Sequence, residues 1–230
     1  MSASATTAVT FARIPPRRAT SRAATWWGRA WVRAVEEAAY GESDLHAARA
    51  LSRSGGIGGI TVDHGTVVAA CYDRSGVWAV SATVPELDPV SRRAFVDVVA
   101  GESGHLAALM AGELPHRLVE QAEEAGVELL PFGGELEASC TCSAWVDPCA
   151  HALATAYQVA WLVDADPFVL LALRGLSRED LLARLHDREE RRPEVPDDPD
   201  DVALAVDAAT RATRILQLLD AGDLDVEHLL

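Results

Sequence analysis

Three of the four cysteines in this 230-residue chain stand with a histidine inside twelve residues, Cys140-Thr141-Cys142 and, after six intervening residues, Cys149-Ala150-His151. A closed structural zinc site takes four soft or borderline ligands at the corners of a tetrahedron, and Cys3His is one of the standard sets. Cys140, Cys142, Cys149 and His151 are therefore the candidate ligands of one Zn2+ ion. Two ligands separated by one residue share a side only on extended chain, so the first pair predicts a strand or turn. Asp147-Pro148 is a turn and helix-entry signal, with Asp147 as the candidate cap, which places Cys149 and His151 at a helix start. In a regular helix those two would lie about 200° apart, so the spacing demands an irregular first turn. The positive end of a helix would also offset a complex of formal charge minus one. Losing the ion should collapse residues 135–165 and leave much of the other helical structure. Cys71, alone in an apolar run, reads as a small core residue.

These four residues match one for one the pattern of the SWIM zinc finger, which the chain resembles over about residues 24–187. Leu129-Leu130-Pro131, Asp166-Pro167-Phe168 and Leu173-Arg174-Gly175 around the motif, and Trp26-Trp27-Gly28 and Ala30-Trp31 near the amino end, are similar to actinobacterial proteins of this type. The resemblance implies zinc binding, and contact with protein or DNA, since such fingers occur in Swi/Snf-type helicases and in transposases. Ala150 departs from relatives that carry a basic residue between the last two ligands.

Charge separates those partners. The formal charge is −15, yet residues 1–60 hold eight arginines against four acids, leaving a net of −19 on the rest. So acidic a body repels phosphate backbones. A non-catalytic interaction protein with a protein partner, a Swi/Snf-type helicase being the candidate, is the expected function. A DNA-binding accessory protein is the alternative, and a zinc-dependent hydrolase ranks below both, because four protein ligands leave no position for water. His64, His105 and His116 make no recognisable catalytic pair and read as surface or capping residues. No small-molecule substrate is inferred. No apolar run reaches the roughly 20 residues of a membrane span, and the first thirty residues lack the apolar core of a secretory signal, so a cytoplasmic location is expected, where thiols stay reduced.

The expected fold class is α+β, a small antiparallel sheet with several helices and an embedded zinc lobe. Residues 1–24 read as a disordered basic arm. Residues 25–187 form the main domain, with the finger at about 127–165. Thr25 caps a helix with Trp27, Trp31 and Val35 on one face, and Ser43-Asp44 caps a second running to Leu51. Gly55-Gly56-Ile57-Gly58-Gly59 lacks any phosphate-loop spacing and reads as a bulge entering the sheet. Strands follow at 57–62, 66–72 and 77–84, then helices at 90–100, 104–112 and 115–125. Extended pieces at 127–131 and 135–139 lead to the motif, and helices follow at 149–164, 167–173 and from the capping box Ser177-x-x-Asp180 to His186. Residues 188–200 read as an acidic, proline-rich linker, and 201–230 as an amphipathic helix.

Overall fold

The computed structural model describes residues 8–17, 23–191 and 199–220. Five antiparallel strands lie in chain order: β1 (Val9–Phe11), β2 (Ile57–Asp63), β3 (Thr66–Tyr72), β4 (Val77–Thr83) and β5 (Glu137–Cys140). β2 to β4 are rich in β-branched and small residues, and the two-residue period of a strand turns Ile60, Val62, Val67, Ala69, Cys71 and Val80 inward, where they are buried. Two tight turns set their register, with Asp63 opposite Thr66 and Tyr72 opposite Val77. The glycine-rich run is a bulge, as expected: the β2–β3 register shifts between Ile57 and Ile60.

The described residues form nine α-helices: α1 (Trp26–Ala38), α2 (Glu42–Arg53), α3 (Pro89–Gly101), α4 (Ser103–Met110), α5 (His116–Glu124), α6 (Ala150–Ala165), α7 (Pro167–Leu173), α8 (Arg178–Glu190) and α9 (Pro199–Asp220). α6 is the central one. It packs on α1, α2 and the sheet, and its alanines let neighbouring backbones come close while Leu153, Val159 and Val163 fill the interior. α1 is fastened to it by side chain as well as by packing. The indole N–H groups of Trp27 and Trp31 donate to the Val163 and Ala156 carbonyls at 2.9 and 3.1 Å, and Asp164 accepts from the Thr25 backbone N–H and hydroxyl at 2.8 and 2.6 Å. The tryptophan face is thus core, and Thr25 caps α1 through the Gly28 N–H at 3.0 Å.

Several expectations need correction. Val9–Phe11, inside the segment read as a disordered arm, forms β1 on the edge of β2. Arg13 Nε donates to the Gly55 carbonyl at 2.7 Å beside it. An unpaired strand edge offers a ladder of donors and acceptors, and a Val-Thr-Phe run is suited to it. The remainder of the arm, residues 1–7 and 18–22, lies outside the described residues. Of the two extended pieces read before the motif, 127–131 stays outside the sheet, and the second becomes strand only from Glu137, as β5. The helix read as capped by Ser43 begins two residues earlier, at Glu42, with Gly41 in the cap position. His105, read as a surface or capping residue, is 3% exposed, with Nδ1 3.3 Å from the Val98 carbonyl of α3. Ser177 and Asp180 make the expected capping box, but α8 continues to Glu190, into the stretch read as linker.

The chain divides into two compact units after His186, within α8. In the second, α9 starts at Pro199 and is held internally by Arg211–Asp207 at 3.0 Å. Linker residues 192–198 and the last ten residues of the chain lie outside the described residues. No helix among the described residues is long and apolar enough to cross a membrane.

Candidate metal centre

β5 delivers Cys140 opposite Val80 of β4. The pairing continues one residue beyond the strand, as Thr141 N donates to the Ala79 carbonyl at 3.0 Å and its hydroxyl accepts from Ala79 N at 2.9 Å. This clamp fixes the extended Cys140-Thr141-Cys142 unit. The return segment reaches α6 through a cis Asp147-Pro148 peptide. Cys149, not Asp147, is the N-cap residue of α6, and its backbone is extended at φ −80° and ψ 172°. The angular conflict between Cys149 and His151 is removed in this way, since only His151 is inside the helix.

The four ligand atoms lie within 4.8 Å of one another. Cys142 Sγ is 3.6 Å from Cys149 Sγ, and His151 Nδ1 is 3.8 Å from Cys140 Sγ and 3.9 Å from Cys149 Sγ. A tetrahedron with arms of about 2.3 Å has edges of about 3.8 Å, so donor set and spacing both fit a single divalent ion. All three cysteines are free thiols. Burial pushes the Cys140 thiol up to about 12, and burial likewise raises that of Cys149. At Cys142 burial acts in the same sense but is outweighed by the Ala144 N–H and by hydrogen bonds from His151 and the neighbouring thiols, which bring it down to about 7. One thiolate is thus favoured even before a metal neutralises the group. Cys71 stays outside the cluster, fully buried, its thiol raised to about 12 by desolvation; it is a core residue, as its apolar surroundings suggested.

The residue that sequence reasoning missed is Asp73. With Nδ1 of His151 facing the sulfurs, Nε2 is left to donate to Asp73 Oδ2 at 2.9 Å. The other carboxylate oxygen accepts from Ser75 N, the Ser75 hydroxyl and Gly76 N at 2.8, 2.6 and 3.0 Å. The Ser75 hydroxyl and then His151 hold this carboxyl well below the usual carboxylate range. Asp73-Arg74-Ser75-Gly76 announced a turn in the sequence, but nothing there joined it to a histidine 78 residues away. Trp78, with its ring centroid 5.9 Å from that of His151, shelters the imidazole. A carboxylate behind a ligating histidine fixes tautomer and ring orientation. Asp73→Asn is therefore expected to weaken metal affinity by about 10–100-fold with little change in melting temperature of the loaded protein, as competition against a chromogenic chelator would measure. An unchanged affinity would show that Asp73 only shapes its own turn.

Residues 123–160 match the SWIM zinc finger family. An uncharacterized protein of Mycobacterium tuberculosis is 34% identical over 166 residues, covering 71% of this chain and 59% of that relative. No solved structure matches the chain.

Proposed function

We propose that Cys140, Cys142, Cys149 and His151 hold a structural zinc ion and that the lobe it closes is an interaction module with no catalytic chemistry of its own. The observation that carries this reading is the closed ligand set: four protein donors complete a tetrahedral shell and leave no position for water or substrate. Zinc bound there would supply folding energy and hold the Cys142–Cys149 loop in shape.

What that loop presents favours a protein partner. Trp145 is 83% exposed and Tyr40 73% exposed, and the two rings meet edge to face at 5.4 Å. Large exposed aromatics of this kind mark contact surfaces. Glu42 and Asp147 stand two residues from them in the sequence, and the chain's net charge of −15 works against a phosphate backbone. A Swi/Snf-type motor is the partner suggested by the resemblance, and reduced thiols fit a cytoplasmic location.

A preparation purified without chelators is expected to contain one zinc per chain, with three sulfurs and one nitrogen by X-ray absorption. Immobilised protein should retain a Swi/Snf-type motor and lose it on Trp145→Ser, at an exposed position that leaves the fold intact. Labelled duplex DNA retained instead, and lost with the same variant, would establish the DNA-binding alternative. Three protein ligands plus an oxygen would revive a hydrolase.

A further inference from the structure

Four of the eight arginines of the first 60 residues, Arg29, Arg33, Arg49 and Arg53, converge on one cavity of about 850 Å³ walled by α1, α2 and α6. Helical spacing puts them there. Trp26, Arg29 and Arg33 recur at i, i+3 and i+7 on α1, Arg49 and Arg53 at i and i+4 on α2, and Tyr157 and Trp161 at i and i+4 on α6, so each helix turns one stripe toward the same space. Four guanidinium groups line it against a single carboxylate, Glu36, which Arg49 already engages at 2.7 Å. Arg33 and Arg53 have no carboxylate partner among the described residues. A fifth guanidinium, that of Arg17, lies 4.5 Å from the centre of the Trp161 ring. On a chain of net charge −15, this is a local field of the opposite sign, and like charges gathered so closely are stabilised by an anion.

Shape and wall chemistry narrow the anion. A bare phosphate leaves most of 850 Å³ unfilled, while volumes of about 300–1,000 Å³ suit organic ligands. Aromatic groups supply the surface for an organic part: Trp26 is stacked on His116 at 4.0 Å with an 18° tilt, the Trp161 indole is half-buried, and Tyr157 lies between Arg49 and Glu36. Indoles stack planar bases, and arginine forks grip phosphate oxygens. We propose that this cavity binds a nucleotide, its phosphates held by Arg33 and Arg53 and its base against the tryptophans. The glycine-rich run takes no part in it. The acidic body discourages long polyanions, so a free nucleoside polyphosphate is favoured over a strand end bearing the same groups.

Adenosine triphosphate, inorganic pyrophosphate and a short thymidine oligonucleotide, each titrated into the full-length zinc-loaded protein, test this by calorimetry and tryptophan fluorescence. Adenosine triphosphate is expected to bind saturably at one site. Arg33→Gln combined with Arg53→Gln should weaken it at least tenfold, since each removes a charge-assisted hydrogen bond, and Arg33→Gln alone, at an exposed position, should leave the melting temperature unchanged. Trp161→Leu should weaken the nucleotide about tenfold and leave pyrophosphate unaffected. If that variant does not fold, the preference of wild-type protein for adenosine triphosphate over pyrophosphate carries the same information. Binding of the oligonucleotide alone would identify a strand end as the source of the nucleotide. Pyrophosphate bound as tightly as adenosine triphosphate, affinity indifferent to the double substitution, or no binding at millimolar concentration of any of the three overturns the proposal.

Discussion

Cys149→Ser, or removal of zinc by a strong chelator, is expected to lower the melting temperature by about 8–16 °C while leaving most of α6 folded. The size follows from two estimates. Structural zinc supplies about 10–16 kcal/mol in isolated finger peptides, but here the lobe is embedded in a core that stands partly without it, so a loss of about 4 kcal/mol is a conservative expectation, the upper end for single substitutions. For a chain of this size each kcal/mol moves the midpoint by about 2–4 °C. The distribution of the damage follows from the packing. Cys149 is itself 2% exposed and begins the central helix, while Leu153 onward is held by α1, α2 and the sheet whatever happens at the metal. Collapse of the whole 135–165 stretch, expected from sequence, is therefore revised to loss of the loop between Cys140 and His151 and of the last pairs of β5. Hydrogen exchange read by mass spectrometry should show fast exchange across residues 138–152 and persistent protection across 155–163. Melting within 2 °C of the untreated protein after verified metal removal would mean that the ion has no structural role.

The parts of this molecule that were legible in its sequence are those written locally. Ligand spacing is covalent, so Cys140, Cys142, Cys149 and His151 could be grouped before any fold was known, and the strand-then-helix order followed from the two-residue and proline signals beside them. The meander β2–β3–β4 was readable because both turns sit between alternating runs. What could not be read depends on contacts between distant segments. Asp73 looks like an ordinary turn residue until the β3–β4 hairpin swings it onto His151. Val9–Phe11 is too short to assert itself amid arginine and serine, and only the free edge of β2 makes it a strand. The irregular turn demanded at Cys149 had a simpler solution, an extended cap residue one step outside the helix. The arginine excess of the first 60 residues reads in the sequence only as a charge asymmetry, with residues 1–24 as a basic arm, although five of the eight line or flank a cavity that exists only once α1, α2 and α6 are assembled.

Arg174 also lay within the Leu173-Arg174-Gly175 stretch noted for its resemblance to related proteins, and the structure gives it a physical task. Its side chain is 5% exposed, at the carboxyl end of α7, and burial pulls the guanidinium below its usual range, against the opposing pull of Glu135. Nη1 donates to the Pro85 carbonyl at 2.8 Å and Nη2 to the Glu128 carbonyl at 2.6 Å, with Glu135 Oε1 at 3.7 Å from Nη1. One fork thereby ties the exit of β4 to the segment that leads into β5 and the metal ligands. Arg174→Met keeps much of the volume but strands two carbonyls and a half-shielded carboxylate, and breaking such a buried arrangement costs about 3–5 kcal/mol. The melting temperature should fall by about 6–20 °C. Arg174→Lys should recover less than half of the loss, because a single ammonium cannot reach both carbonyls in the geometry that a planar fork allows. Since Glu128 and Glu135 bracket the approach to β5, the Met variant should also release zinc to a chelator faster than wild type, in a measurement made well below its melting temperature. A Met variant that melts with the wild type and holds its zinc as long would leave the guanidinium without a structural part, and the approach to β5 would then be fixed by packing alone.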